Sequence, residues 1–185
     1  DAAVVASSFV MNVQAVIARE THPLDSAVVS IGKMDVGTRF NVIAENATLE
    51  GTVRTFTIED RDRIRSAVTR FAEHTAAMYG ATVDVEYLHV TPPVSNDPTS
   101  SALTESIVKD AFGEHALILD RPTTGAEDFS YYLEKAPGCF VFVGSANPAT
   151  DSEWAHHHGR FNVDEATLKI GAELYAHYAY RYLLD

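Results

Sequence analysis

The sequence predicts a mixed α/β chain in two parts. Residues 1–95 read as a split βαβ, ferredoxin-like α+β unit that lacks its first strand, and residues 96–185 as the closing segment of a larger α/β domain. Three observations carry this prediction. Before residue 91, helical and alternating apolar periods follow one another in the order helix, strand, strand, helix, strand. Thr91 to Thr99 then sets three prolines among polar residues, the composition of a linker. Beyond it, helix and strand alternate with too few strands to complete a sheet.

In residues 1–20, Val5, Phe9, Val13, Val16 and Ile17 are spaced by three and four, which makes one helix face apolar. No capping residue precedes Asp1, which points to further sequence in front, and His22-Pro23 ends the helix because a residue before proline is pushed out of the helical region. The β-branched run from Ser26 to Gly32 predicts a strand. Gly37-Thr38 is a turn and Asn41-Val42-Ile43 a short extended piece. In the next strand, Ala47 to Phe56, one face carries Ala47, Leu49, Gly51, Val53 and Thr55, and Arg54 lies on the more polar face.

Thr57 to Gly80 is the clearest helix. Thr57 and Asp60 form a capping pair, Ile64, Val68, Phe71, Ala72, Thr75 and Met78 recur at helical spacing, and Gly80 stops it. Ala81 to Val90 alternates and predicts a third strand. After the linker, Leu103, Ile107, Val108, Ala111 and Phe112 form a short helix ended by Gly113, and Cys139 to Gly144 reads as a buried strand. Leu168, Gly171, Leu174, Tyr175, Tyr178 and Tyr182 line a terminal helix, and at that spacing Tyr175, Tyr178, Tyr180 and Tyr182 are expected to pack in the core or half-buried against it.

Composition narrows the function. The 46% apolar content is enough for a core, and a net charge of −12, from 26 acids against 14 bases, repels phosphate backbones, so nucleic acid is not an expected partner. No uninterrupted run of about 18 apolar residues is found, so no membrane span is expected, and the first residues do not read as a signal peptide. The single Cys139 permits no internal disulfide and points to a reducing, cytoplasmic compartment.

Two stretches carry chemistry. Trp154-Ala155-His156-His157-His158-Gly159-Arg160-Phe161 sets three imidazoles in a row before an acidic cap and a helix, and one of them is the best candidate for a metal ligand. Gly125-Ala126-Glu127-Asp128-Phe129 places two carboxylates in the first turn of a helix. Glu127 reads there as a cap near the site, and Gly125 allows a ligand to approach the backbone closely.

Four motifs together, Gly37-Thr38 with Asn41-Val42-Ile43, then Gly51 to Phe56, then Gly125 to Phe129, and last His157-His158-Gly159-Arg160-Phe161 with Asp164-Glu165, resemble the metal-dependent amidohydrolase family of aminoacylases, hippurate hydrolases, auxin-conjugate hydrolases and carboxypeptidase G. The likeness covers essentially the whole chain in the right order. It implies a zinc-peptidase-like catalytic domain with two divalent metal ions, zinc, manganese, cobalt or nickel, and an inserted lid through which a homodimer forms. On this resemblance residues 1–95 are the lid and 96–185 the end of the catalytic domain. His157, which opens the His-x-x-x-Phe pattern, is the metal ligand. Asn41, Arg54 and Gly125 bind substrate, and His156, His158 and Glu127 lie near the site without an assigned role. Ala44 and Gly159 stand where the family usually has proline.

The implied reaction is hydrolysis of the amide bond of an N-acyl amino acid, with the general base expected in sequence outside this chain, so the 185 residues alone are expected to be inactive. Two other readings remain at this point: a dipeptide or carbamoyl substrate, and a non-catalytic dimerisation or binding module.

Overall fold

A computed structural model describes residues 1–119 and 121–184, and the chain divides into two compact units. The first comprises Asp1–Val94 with Thr123–Ser130, the second Ser95–Pro122 with Tyr131–Asp185. The architecture is mixed α/β with a small two-stranded sheet.

In the first unit the N-terminal helix is interrupted. Helix α1 (Ala2–Asn12) and helix α2 (Gln14–Glu20) meet at Val13, where Val16 N–H bonds the Val13 carbonyl at 3.1 Å and the Gln14 side-chain amide donates to the Val10 carbonyl at 3.1 Å. Asp1 supplies the cap absent from the sequence reading, its carboxylate accepting Ala3 N–H at 3.0 Å. By length and composition Ala2–Glu20 is apolar enough to cross a membrane, with mean hydropathy 1.5, which corrects the expectation drawn from uninterrupted runs. Val13 and Val16 are nevertheless fully buried against α3, so packing within the unit already accounts for part of that apolar face.

Strand β1 (Ala27–Val36) and strand β2 (Ala47–Thr55) form an antiparallel hairpin, Ala27 opposite Thr55 and Val36 opposite Ala47. A bulge lies between Ile31 and Lys33. Across from it, a Cβ on Gly51 would stand 2.5 Å from the Ser30 carbonyl oxygen, so only glycine fits while the strands keep this spacing. Ala47, Leu49, Val53 and Thr55 are half-buried on one face and Arg54 is exposed on the other, as the alternation predicts.

Helix α3 (Ile58–Met78) begins as its sequence dictates. Thr57 accepts Asp60 N–H at 3.1 Å and donates to the Asp60 carboxylate at 2.8 Å. The Arg63 guanidinium, and then the Thr57 hydroxyl, hold the Asp60 carboxyl below the usual carboxylate range. Gly80 ends the segment at φ +63°, a conformation glycine adopts without penalty. The core lies where α1, α2 and α3 meet the inner face of the hairpin: Val13, Val16, Ile64 and Ala67, with Phe9, Ile17, Ala27, Val29, Val53, Val68 and Phe71 packed around them.

In the second unit, helix α4 (Pro98–Phe112) has Asp97 as its cap, accepting Ser100 N–H at 2.7 Å, proline at its first position and Gly113 at its end. Helix α5 (Ser130–Leu133), whose first residue is counted with the first unit, is a single turn, and helix α6 (Ala166–Tyr182) is tied to α4 by Arg181 and Asp110 at 2.6 Å. Ile107 is fully buried on α4.

Four expectations are corrected. Ala81 to Val90 keeps its alternation, with Val85 and Tyr87 half-buried, but pairs with no strand among the described residues. Asn41-Val42-Ile43 belongs to a turn and the bend after it, with Val42 N–H bonded to the Arg39 carbonyl at 3.2 Å, so no extended piece forms. Cys139 to Gly144 is neither a strand nor buried: Phe142 is 74% exposed, and the Phe140 backbone is served by the Asn96 side chain, which donates to its carbonyl at 2.9 Å and accepts its N–H at 2.8 Å. On α6 no described residue is fully buried: Tyr178 is half-buried as expected, but Tyr175, Tyr180 and Tyr182 are exposed, because this helix packs only lightly against α4. In each segment the apolar pattern is present and the surface it would meet is not among the described residues.

Removing the side chain of Ile64 leaves a cavity at the centre of the first unit. Ile64→Ala is expected to destabilise the chain by about 2–5 kcal/mol in urea unfolding, whereas Met78→Ala, at a position 73% exposed, changes it by less than about 0.5 kcal/mol.

Candidate functional site

In the first unit, Arg54 is exposed on β2 and one of its nitrogens donates to the Thr124 carbonyl at 3.0 Å. The guanidinium is thereby joined to the residue beside Gly125, with its other nitrogens directed at no described partner, a fork suited to a carboxylate. Gly125 is exposed, and a Cβ there would meet only the Thr123 hydroxyl at an ordinary 3.6 Å, so no crowding in this unit demands glycine. Glu127 caps a turn: its carboxylate accepts Phe129 N–H at 3.3 Å and its carbonyl accepts the Ser130 hydroxyl at 2.7 Å. Glu127 and Asp128 precede α5 instead of occupying its first turn, which corrects the helix-dipole expectation, since a one-turn helix offers little dipole.

Asn41 lines an open depression of about 700 Å³ with Asp1, Ala3, Phe40 and Ile43. It sits in the loop at the Val36–Ala47 end of the hairpin, whereas Arg54 lies seven residues along β2 from Ala47, roughly 24 Å at the usual strand rise. The structure therefore brings Arg54 to the Gly125 segment and does not bring Asn41 to Arg54.

The histidine loop of the second unit treats its three imidazoles differently. His156 meets Phe161 edge to face at 5.0 Å. His158 stacks on Trp154 at 4.3 Å, and its Nδ1 accepts Arg160 N–H at 3.1 Å, which sets the proton of the neutral ring on Nε2. His157 has no hydrogen bond, ion pair or ring contact with any described residue. Its backbone is left-handed, φ +68°, in a turn closed by His158 N–H to the Ala155 carbonyl at 3.1 Å. That turn position favours glycine, and holding an L-residue there costs about 1–2 kcal/mol. An exposed, unengaged imidazole on such backbone fits the role of a metal ligand. It stands alone in this: among the described residues no group of three or more His, Cys, Asp or Glu side chains is placed to hold a metal ion.

Sequence comparison identifies the lineage. A family model described as peptidase family M20/M25/M40 matches residues 5–181. The chain belongs to this family. An IAA-amino acid hydrolase of Arabidopsis thaliana is 36% identical over 100% of the chain and 43% of its own length. An N-acetyl-L-cysteine deacetylase of Bacillus subtilis is 34% identical over 97% of the chain and 41% of its own length. The crystal structure of a dinuclear metal-binding M20 peptidase from Bacillus subtilis superposes with a TM-score of 0.80 at 31% identity, covering 97% of this chain and 45% of that one. This M20 chain thus spans less than half the length of the relatives it matches.

Residue-by-residue reading missed Asp151, Trp154 and Arg160. Trp154 Nε1 donates to the Asp151 carboxylate at 2.9 Å, Arg160 donates to both Asp151 oxygens at 3.0 and 2.8 Å, and the Arg160 guanidinium lies 4.3 Å from the centre of the Trp154 ring. The Trp154 bond, then Arg160, hold the Asp151 carboxyl below the usual carboxylate range. Their signal was the chain's one tryptophan beside a histidine run, with an arginine six residues on.

His157→Gly offers a direct check on the strained backbone. Relief of the left-handed residue outweighs or matches the roughly 0.4–1 kcal/mol that glycine adds to unfolded-state entropy. Thermal unfolding of the variant is expected to show unchanged or raised stability, and a loss above about 1 kcal/mol would refute the strain.

Proposed function

We propose that this chain is part of a metal-dependent amidohydrolase that cleaves the amide bond of N-acyl amino acids of the hippurate or N-acetyl type, and that the 185 residues are inactive alone. The observation that carries the reading is His157: an unengaged imidazole held outward in a chain of the M20 family that offers no further clustered ligands among its described residues. Two relatives are named for amides of this class, an IAA-amino acid hydrolase and an N-acetyl-L-cysteine deacetylase, and a third relative is described as dinuclear.

The chemistry that two bound divalent ions supply in such a site is polarisation of the scissile carbonyl and acidification of a water. Zinc, manganese, cobalt and nickel all accept imidazole and carboxylate donors. His157 contributes one imidazole to that site. Arg54 grips the carboxylate of the amino-acid half through the nitrogens that Thr124 leaves open, and Gly125 lets the substrate lie close to the backbone, whereas Asn41, in the loop at the other end of the hairpin, does not reach a substrate held at Arg54 of the same chain. Glu127 is spent as a turn cap, so the general base comes from outside this chain. His156 is braced by Phe161 and is not a ligand.

Residues 1–95 act as a lid and dimerisation unit of split βαβ type, and residues 96–185 as the end of the metal-binding domain. The free edge of β1 supports pairing with a further strand. The single cysteine supports a reducing cytoplasmic setting. Neither nucleic acid nor membrane is a partner in this reading.

The test compares the 185-residue chain with the family-length protein that contains it, on N-benzoylglycine and a panel of N-acetyl amino acids, with metal content measured in parallel. The longer protein is expected to hydrolyse at least one of them in a chelator-sensitive manner, His157→Ala to lose at least about 100-fold in kcat/KM together with bound metal, and the short chain to do nothing. Metal-dependent hydrolysis by the 185 residues alone, or full activity of His157→Ala, would overturn the proposal.

A further inference from the structure

We infer that Asp151, Trp154 and Arg160 form a clasp, completed by His158, whose task is to position the His157 imidazole for its metal. This rests on the reading of His157 as a ligand and adds three positioning residues to it. The clasp closes the loop from both sides. Trp154 lies three residues before His157 and Arg160 three residues after it, and both are drawn to the same Asp151 carboxylate. His158, the next residue, is stacked on Trp154 at 4.3 Å with ring planes 12° apart, and receives Arg160 N–H on Nδ1.

The contacts are made in the open. The side chains of Asp151 and Arg160 are 63% and 60% exposed. Exposed ion pairs contribute little to global stability, so this arrangement does not serve the core. What it fixes is local. The two non-glycine residues with left-handed backbone among the described residues, Asp151 at φ +55° and His157 at φ +68°, both lie in this loop. One is the clasp's anchor and the other is the residue it encloses.

The anchor is itself braced. Asp151 follows the 3₁₀ turn Pro148–Thr150, capped by Asn147, whose side-chain amide donates to Asp164 at 2.6 Å. The other Asp164 oxygen accepts Ala166 N–H at 3.0 Å, at the start of α6. Hydrogen bonds and stacking thus run from the first turn of α6 through Asn147 and the 3₁₀ turn to Asp151, and on to the residues flanking His157. The imidazole is held without being touched, which leaves both ring nitrogens open to a metal. Partners that orient a ligand in this way typically change metal affinity 10- to 100-fold when removed.

The experiment measures the affinity of the family-length protein for zinc or manganese by competition with a chromophoric chelator, beside its thermal unfolding. Arg160→Ala and Trp154→Ala are expected to weaken binding by about tenfold or more. Trp154→Phe, which keeps a stacking ring, and Arg160→Lys, which keeps a cation for Asp151, are expected to recover most of it. A lowered melting temperature with wild-type metal affinity in the alanine variants assigns the clasp to stability and overturns the inference. His157→Ala separates the two levels. If it loses metal while the clasp variants bind normally, the positioning role alone fails; if it binds metal normally, the ligand assignment fails and the positioning role with it.

Discussion

An extended segment becomes a strand only where a neighbour takes its backbone hydrogen bonds, and this constraint decides what the chain builds. β1 and β2 satisfy one another along nine paired positions and lay one face on α1, α2 and α3. Among the described residues every other apolar run of extended type stops short of a ladder. Ala81 to Val90 and Cys139 to Gly144 have the side chains of strands, and at Phe140 the Asn96 side chain stands in for a neighbouring strand. The first unit therefore has a core, Val13, Val16, Ile64 and Ala67, yet it exposes Leu24, Phe40, Ile43 and Leu88, and the second exposes Ile118, Leu119, Phe142 and much of α6. A chain that spans under half of its relatives' length and carries large exposed apolar surfaces accords with the proposal that it works as part of a longer enzyme.

The histidine loop meets the same requirement by other means. Lacking strand or helix partners, its backbone is pinned by side chains: Asn147 to Asp164, Asp151 to Trp154 and Arg160, His158 to the Arg160 amide. Three adjacent imidazoles thereby receive three fates. One packs on a phenylalanine, one stacks on a tryptophan, and one is left open on strained backbone. The proposed metal-ligand role of His157 needs the third kind, and the contacts of the other two hold the loop around it.

Local chemistry was legible in the sequence. The Thr57–Asp60 cap, the glycine stops at Gly80 and Gly113 and the outward face of Arg54 all follow from short-range rules, and they hold, whereas α4 starts at Asp97–Pro98, inside the stretch read as linker. The misses share one cause. Alternation at Val83, Val85 and Tyr87 specifies a face without specifying a partner, and tyrosine spacing on α6 specifies a stripe without specifying what covers it. The candidate site was legible through motif order, since no single spacing singles out His157 from its two neighbours. The clasp was not, because Asp151, Trp154 and Arg160 join through a turn whose left-handed residues carry no glycine to announce them.

Amide hydrogen exchange on the 185-residue chain, read residue by residue, tests the ladder constraint most directly. Amides bonded across β1 and β2 should exchange slowly, while those of 82–89 and 139–144, apart from Phe140, should exchange near the rate of an unstructured peptide. Protection of either segment comparable to that of β1 and β2 would mean that these residues find ladder partners within the chain, and would contradict the account of an incomplete fold.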